Sequence, residues 1–273
     1  MVSWFDFEMA TLVKYLILAA HRKEVFNHAR PKYMLDQLRL DKLLCIDIET
    51  VPGAHHFDDL SGEMQALFEL KTGRWKPEDK TLAEYYLERG GILAEFGRVV
   101  CISAGFLNTS NGSRQFRVKS FAAETEADLL SAFGQLLAEH YRNRDEDRLC
   151  GHNVVEFDVP FICRRMLVNH VPLPAMLNLH AMKPWEVPLV DTMDLWKFGD
   201  RKNFTSLRLL TAILGIPTSK DDIQGSDVGH VYWELNDLPR IVSYCQKDVI
   251  AVMQIVLRFR GQKALTEDEI VFT

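Results

Sequence analysis

The sequence lacks the features of a secreted, fibrous or membrane-spanning protein. Its five cysteines contain no Cys-x-x-Cys pair, and there is no low-complexity tract, internal repeat or evident interdomain linker. An odd number of cysteines, mostly within apolar runs, indicates reduced and buried thiols rather than a disulfide framework or a zinc site. The apolar residues 9–20 follow Asp6 and Glu8 and contain Lys14, and they fall short of the roughly 20 residues that a membrane span needs. These absences favour a cytoplasmic protein with no membrane association.

An excess of positive charge is also absent. The formal net charge is −6, from 32 lysines and arginines against 38 aspartates and glutamates. This balance excludes a protein whose whole surface is basic and binds nucleic acid everywhere. It does not exclude a nuclease, because an active site built of carboxylates adds negative charge that bound metal ions neutralise locally.

The length and composition indicate one main domain. The chain has 273 residues, of which 47% are hydrophobic and 26% charged. We predict an N-terminal helical extension at 1–40, part of which is alternatively sequence upstream of a later start such as Met34. The main domain is predicted at 41–262, with a polar and partly helical insertion at 52–95, and a C-terminal tail follows at 263–273.

Hydrophobic patterning predicts an α/β fold, with a mixed five-stranded sheet flanked by helices. Residues 43–50 form a short apolar run, as expected for a strand buried on both faces. Residues 126–141 carry leucines and a phenylalanine at helical spacing. The predicted strands are 43–50, 99–106, 115–121, 149–153 and 189–191, and the predicted helices are 126–141, 159–169, 204–214 and 238–260.

Two acidic residues interrupt the first predicted strand. Asp47 and Glu49 are two residues apart, so both side chains point to the same face of the sheet. Two buried carboxylates repel each other, and no lysine or arginine lies between them. The pair is explained if it binds divalent cations, which prefer oxygen ligands. The alternative is that both residues lie at the exposed end of the strand and cap loops.

Two further segments place acids at element boundaries or on apolar faces. Asp158 falls at the start of a predicted helix with Pro160 in its first turn, so it is either a helix cap or a functional acid. Tyr244 and Asp248 are four residues apart in the last long helix and therefore share a face. That face is otherwise apolar, so Asp248 either has a functional partner or lies at the margin of the buried stripe.

Taken in order, these patterns resemble the motifs of a known enzyme family. Asp-Ile-Glu at 47–49, Asn-x-x-x-Phe-Asp at 153–158 and Tyr-x-x-x-Asp at 244–248 resemble the three motifs of the DEDDy 3′–5′ exonucleases of the ribonuclease H-like superfamily. The sequence is most similar to the predicted exonucleases related to the proofreading domain of family B DNA polymerases. Further similar stretches are 95–98, 191–196 and 220–228, and the resemblance covers 43–260. It implies a ribonuclease H-like fold and metal-dependent 3′–5′ exonuclease activity.

The resemblance also implies a role for each motif residue. Asp47 would bridge two divalent ions, Mg²⁺ or Mn²⁺, and Glu49 and Asp248 would complete the site that holds the attacking water. Asp158 would help to hold the second ion, and Tyr244 would orient the water and help to activate it. In such a two-metal mechanism, hydroxide attacks the terminal phosphodiester and a 5′-mononucleotide leaves.

Substrate contacts are predicted beside the first and second motifs. Thr50 and Val51 follow the carboxylate pair, where similar enzymes place contacts to the 3′ end. Asn153 and Phe157 are predicted to face the terminal nucleotides, and Phe157 is either a stacking surface or a core residue. Several cations either contact phosphates or are simply solvated: Lys71, Arg74, Lys76, Lys80, Arg201 and Lys202.

One segment imitates the histidine variant of the same superfamily. His140 and Asp145 have the His-x-x-x-x-Asp spacing, but they precede the second motif, whereas the third motif must follow it. We therefore favour the tyrosine variant, in which Tyr244 and Asp248 form the third motif.

The predicted substrate is nucleic acid, with single-stranded or frayed DNA 3′ ends as the leading interpretation. RNA is the alternative substrate of the same chemistry, and an inactive nucleic-acid-binding module of this fold is the alternative from another class. Such a module should have lost one or more of the metal-binding acids. No polymerase domain fits into this length, so a proofreading role would require a polymerase or repair partner that the sequence does not identify.

Overall fold

A computed structural model describes residues 34–109, 113–200, 202–217 and 223–273. The chain divides into two compact units, residues 1–38 and 39–273. In the first unit the described part is a short helix, α1 (Met34–Gln37). Most of the predicted N-terminal extension lies outside the described residues, as do Arg201 and the first part of the 220–228 stretch.

The second unit is built on a six-stranded mixed sheet. Its strands are β1 (Leu43–Pro52), β2 (Gly97–Asn108), β3 (Gln115–Phe121), β4 (Arg148–Gly151), β5 (Leu189–Asp191) and β6 (Ile270–Phe272). They lie in the order β5-β4-β1-β2-β3-β6. Neighbours β1 and β2, and β2 and β3, are antiparallel, whereas β4 is parallel to both β1 and β5, and β6 is parallel to β3.

The predicted α/β fold class is confirmed, and the predicted strand count is one too low. The extra strand β6 comes from the segment predicted as a C-terminal tail and pairs with the edge of β3. It has three residues, none of them buried. A strand this short and this exposed carries no hydrophobic pattern from which it can be predicted.

Helices cover both faces of the sheet. They are α2 (Gly62–Thr72), α3 (Leu82–Arg89), α4 (Glu126–His140), α5 (Asp158–Val168), α6 (Thr192–Lys197), α7 (Leu207–Ile213), α8 (Val228–Trp233) and α9 (Leu238–Phe259). The helix predicted from residue 204 begins later, because the Ser206 hydroxyl accepts a hydrogen bond from the Leu209 N–H and so caps α7. Phe204 therefore lies in the connection before α7. Within the described ranges, no helix combines the length and apolar character needed to cross a bilayer.

Alternate residues of β1 face two different layers. Ile46 belongs to a buried cluster with Phe133 of α4, on the side that α4 and α5 cover. Val51 belongs to a second cluster with Ile241 of α9. Because successive strand residues point to opposite faces, the acids at odd positions of β1, such as Asp47, point towards α9.

The predicted insertion has a small core of its own. Phe68, Tyr86 and Phe96 are buried together, and the Phe68 ring meets the Phe96 ring edge-on at 5.1 Å. Thr81 and Glu84 form a capping box at the start of α3. This packing gives α2 and α3 fixed positions beside the end of β1.

Candidate active site

A cleft of about 670 Å³ lies where β1 passes the ends of α5 and α9. Strand β1 contributes residues from its middle and its carboxyl end, α5 its first residue, and α9 its second and third turns. Five residues predicted as catalytic line this one cleft: Asp47, Glu49, Asp158, Tyr244 and Asp248. They are up to 201 positions apart in the sequence, so the fold alone brings them together.

The first two acids have no ion pair with a cation among the described residues. Glu49 is 6% exposed, and Oδ2 of Asp47 is buried with no hydrogen-bond partner among the described residues. Candidate ligand atoms of Asp47, Glu49 and Cys245 all lie within 4.8 Å of one another. Since β1 continues in the sheet to Pro52, the alternative that these acids cap loops at an exposed strand end is wrong.

The clustering of acids shifts their protonation. Burial, followed by the charge of Asp248, raises the pKa of both Asp47 and Glu49 well above their ordinary values. Burial also raises the pKa of Asp158 to about 7, although two backbone N–H groups stabilise its charged form. A cleft that holds these carboxylates in their charged state needs added positive charge, which a divalent cation provides.

Asp158 joins α5 to the first strand. The residue is 4% exposed, and its Oδ1 accepts a hydrogen bond of 3.2 Å from the backbone N–H of Ile48. Ile48 lies between the two acids of β1. The carboxylate is therefore held against the acid pair, a role that helix capping alone does not explain.

Helix α9 brings the third motif to the same place. Its buried stripe includes Ile241, Cys245 and Val252, each fully buried, and Tyr244 and Asp248 border the cleft beside this stripe. The Cys245 thiol donates a hydrogen bond to the backbone carbonyl of Asp47, with an S···O distance of 3.3 Å. The thiol is buried, as the sequence indicated, and it also fixes α9 against β1.

The predicted substrate-contact residues have different surroundings. Thr50 and Phe157 line the cleft, and the Phe157 ring also packs against Phe161 at 5.5 Å. Val51 is fully buried in the cluster beneath α8 and α9. The strand directs the Val51 side chain into the core, so the contact of Val51 with the 3′ end remains a prediction for its backbone. Asn153 has φ of 69°, a left-handed conformation that asparagine tolerates.

Asn153 has a structural reason for its position. Its carbonyl accepts hydrogen bonds from the N–H groups of Glu156 and Phe157, which closes the turn before α5. It is not among the residues that line the cleft. Contact between Asn153 and a substrate remains a prediction.

His152 lines the cleft, although no sequence motif marked it as a site residue. Its Nε2 lies 2.7 Å from the carbonyl oxygen of Thr205, and its Nδ1 lies 2.9 Å from the Thr192 hydroxyl. Burial lowers the pKa of His152. The local signal for His152 in the sequence is its position directly after β4 and before the second motif.

The insertion and α8 form the opposite wall of the cleft. Leu87 and Ile92 line it and are 52% and 42% exposed. Glu84 and Glu88 of α3, and Glu234 after α8, add negative charge to this wall. Local patterning predicts helices in the insertion but not their position beside a site on a distant strand.

Nearby acids and cations have structural partners. The Asp191 carboxylate accepts hydrogen bonds from four backbone N–H groups, those of Asn153, Val155, Met193 and Asp194. These bonds hold Asp191 between the start of the second motif and the first turn of α6. Lys71 is ion-paired with Glu95 and Lys80 with Glu88, and neither lysine lines the cleft.

Comparisons with known proteins agree with this geometry. Residues 92–271 match the model of a family described as a predicted 3′–5′ exonuclease related to the exonuclease domain of PolB. The match includes the second and third motifs and begins after β1. A DNA polymerase of Red sea bream iridovirus is 25% identical over 264 residues, covering 88% of this chain and 26% of the viral protein.

A solved structure is also similar. The family B DNA polymerase of the hyperthermophilic archaeon Pyrobaculum calidifontis aligns over 80% of this chain and 24% of its own, with a TM-score of 0.50 and 18% identity. At this identity the likeness concerns the fold alone. The chain thus spans about a quarter of the length of each polymerase that it resembles.

Proposed function

This chain belongs to the family of predicted 3′–5′ exonucleases related to the exonuclease domain of PolB, and we propose that it is an active, metal-dependent member. It removes 5′-mononucleotides from the 3′ ends of single-stranded or frayed DNA. The observation that carries this proposal is the acid pair of β1, half-buried Asp47 and buried Glu49, which has no cation partner among the described residues and meets Asp158 and Asp248 in one cleft.

The four acids fit a pair of divalent ions. Asp47, Glu49, Asp158 and Asp248 present carboxylate oxygens, which are the preferred ligands of Mg²⁺ and Mn²⁺. The unpartnered Oδ2 of Asp47 is the kind of buried atom that a metal ion satisfies. When bound, such ions stabilise the attacking and leaving oxygens of a phosphodiester displacement and lower the pKa of bound water.

The chain itself positions the reacting groups. Tyr244 lies one helical turn before Asp248 and lines the same cleft, so its phenol would orient a water molecule beside the acids. The Cys245 hydrogen bond to β1 keeps this helix in register with the acid pair. Because the acids are presented by a strand and by helices rather than by loops, they need little reorganisation on substrate binding.

The shape of the cleft favours a strand end. Leu87 and Ile92 form an apolar ledge that suits the terminal nucleoside, and Glu84 and Glu88 disfavour a phosphate beyond it. A strand that continued past the acids would place its phosphates against these carboxylates. The wall therefore favours hydrolysis from an end over cleavage within a strand.

Nuclease activity on a 5′-labelled single-stranded DNA tests the proposal. Wild type, Asp47→Asn and Asp145→Asn are compared with Mg²⁺, Mn²⁺ or EDTA, with a matching RNA in parallel. Asp145 is the exposed acid of the imitated histidine motif, so its variant is the control.

We expect a metal-dependent ladder that shortens from the 3′ end with wild type and Asp145→Asn, and no ladder with Asp47→Asn. If folded wild type leaves every substrate intact with either metal, the enzyme assignment fails and a module that only binds nucleic acid becomes the better description. The RNA lane decides between the two substrates.

A further inference from the structure

Two exposed aromatic rings lie in the connection between α6 and α7. Phe198 is 91% exposed and Phe204 is 67% exposed. Phe198 also has φ of 46°, a left-handed conformation that costs a bulky residue energy. Neither ring gains much from folding, so their stability contribution does not explain them. Two exposed aromatic residues in one short connection instead indicate a binding surface.

The Phe204 ring is fixed from one side. The Lys197 ammonium lies 4.7 Å from the ring centroid, and the Lys197 side chain is 9% exposed and ion-paired with Asp194. This buried cation holds one face of the ring. The exposed remainder of the residue offers a flat apolar surface of defined orientation.

This surface adjoins the cleft. His152 lines the cleft, and its Nε2 lies 2.7 Å from the carbonyl oxygen of Thr205, the residue after Phe204. The Phe204 ring therefore belongs to the segment directly behind the cleft wall that follows β4. The opposite wall is the acidic one formed by the insertion.

Charge distinguishes the two sides. Lys202 and Arg208 are exposed on either side of Phe204, and among the described residues neither has an ion pair. The insertion wall carries Glu84 and the ion-paired Glu88. A polyanionic strand that ends in the cleft is therefore drawn to the Phe204 side and repelled from the other.

We propose that Phe198 and Phe204 form a stacking platform for unpaired bases of the strand that enters the cleft, upstream of its 3′-terminal nucleotide. Lys202 and Arg208 lie near the phosphates of these nucleotides. Base–aromatic stacking tolerates any sequence, as an exonuclease requires. The inference rests on the proposed function, because that function places the end of the strand among the acids.

Binding of fluorescent oligothymidylates of two lengths tests the platform. Fluorescence anisotropy with EDTA or Ca²⁺ gives the Kd for a strand of about three nucleotides and for one of about twelve. It is measured for wild type, Phe204→Ala and Phe204→Trp. The matched control is Trp185→Ala. Trp185 is 78% exposed with the Lys183 ammonium 5.6 Å from its ring centroid, but it precedes β5 and does not line the cleft.

Loss of one stacked base should weaken binding of the long strand about tenfold in Phe204→Ala. Binding of the short strand should stay unchanged, Phe204→Trp should restore the long-strand affinity, and Trp185→Ala should match wild type. Equal losses for both lengths, or no loss for the long strand, would overturn the platform. A thermal unfolding curve for each variant separates loss of binding from loss of fold.

Failure of the platform and failure of the proposed function give different results. If wild type hydrolyses no substrate while Phe204→Ala selectively loses long-strand affinity, the platform stands and the exonuclease assignment falls. If wild type shortens 3′ ends while Phe204→Ala binds both strands like wild type, the platform alone is overturned.

Discussion

Two acid sites in the described part of this molecule differ in whether a cation compensates their charge. Glu126, at the start of α4, is 7% exposed, and its carboxylate accepts hydrogen bonds from Nε and Nη2 of Arg165, from the Asn169 side chain and from the Val99 N–H. The acid pair of the cleft has no such cation, and Oδ2 of Asp47 has no partner among the described residues.

The difference separates an acid that holds elements of the fold together from acids whose charge no described cation compensates. The Glu126 carboxylate joins α4, α5 and β2, and its charge is compensated by Arg165 at 2.6 Å. The cleft acids repel one another and raise one another's pKa values. Their arrangement costs stability, which a protein retains where the site serves binding or catalysis.

Asp47→Asn should give the largest change. Under the proposed function it removes a carboxylate that would hold a metal ion worth several kcal/mol of transition-state charge stabilisation, so we expect the hydrolysis rate to fall about a thousandfold or more. The free energy of unfolding should stay level or rise, because one of the repelling charges is gone. Chemical denaturation beside the rate measurement checks both. A variant that is inactive because it is unfolded would contradict the comparison.

Arg165→Ala should have the opposite profile. It leaves the buried Glu126 carboxylate without its cation, which we expect to cost about 3 kcal/mol of the free energy of unfolding. Hydrolysis per folded molecule should remain near the wild-type rate, because Arg165 does not line the cleft. The control is Arg117→Ala, at an exposed arginine of β3, which should leave the free energy of unfolding unchanged. Equal stability of Arg165→Ala and wild type would remove the distinction between the two sites.

Tyr244→Phe should separate orientation of water from metal binding. We expect the rate to fall about a hundredfold, the low end for loss of a group that assists proton transfer. The Mn²⁺ concentration for half-maximal rate should not change, because the phenol is not a proposed ligand. A shift in that metal dependence would show that Tyr244 acts on the metal site itself.

The pH should give the smallest change in metal-free stability for each unit step. Burial raises the folded pKa of Asp158 from the model-peptide value of 3.8 to about 7. The folded state thus binds a proton more tightly than the unfolded chain, so the free energy of unfolding falls as pH rises through this window. The Asp158 proton gives a slope of at most about 1.4 kcal/mol per pH unit, and the raised pKa values of Asp47 and Glu49 act in the same direction.

Urea denaturation in EDTA at several pH values between 4 and 8 measures this slope. Added Mn²⁺ should stabilise the protein more at the upper end, where the cleft carboxylates are charged. Metal-free stability that rises with pH over this window would contradict the account of the cleft.

Local sequence patterns predict most of the fold and the acids, for a physical reason. A strand buried on both faces tolerates only apolar residues, so Asp47 and Glu49 stand out within β1. Helical periodicity likewise identifies Asp248, because this acid interrupts an apolar stripe. These signals are local, and they carry most of the chemistry of the site.

Other features depend on contacts that no local pattern encodes. The pairing of Glu126 with Arg165 joins residues 39 positions apart, and β6 forms because a half-exposed segment meets the edge of β3. The burial of Val51 and the connection of His152 to the segment of Phe204 arise only when separate elements pack together. The position of the insertion against the cleft is likewise a tertiary property.

The most direct test of the central claim is the rate of 3′-end shortening of a 5′-labelled single-stranded DNA with Mn²⁺, measured for wild type and Asp47→Asn at matched folded concentrations. We expect a ladder of successively shorter labelled strands with wild type and an intact strand with Asp47→Asn. The variant should unfold at the same temperature as wild type or at a higher one. A folded wild type that leaves the strand intact, or an Asp47→Asn variant that shortens it at the wild-type rate, would contradict the account.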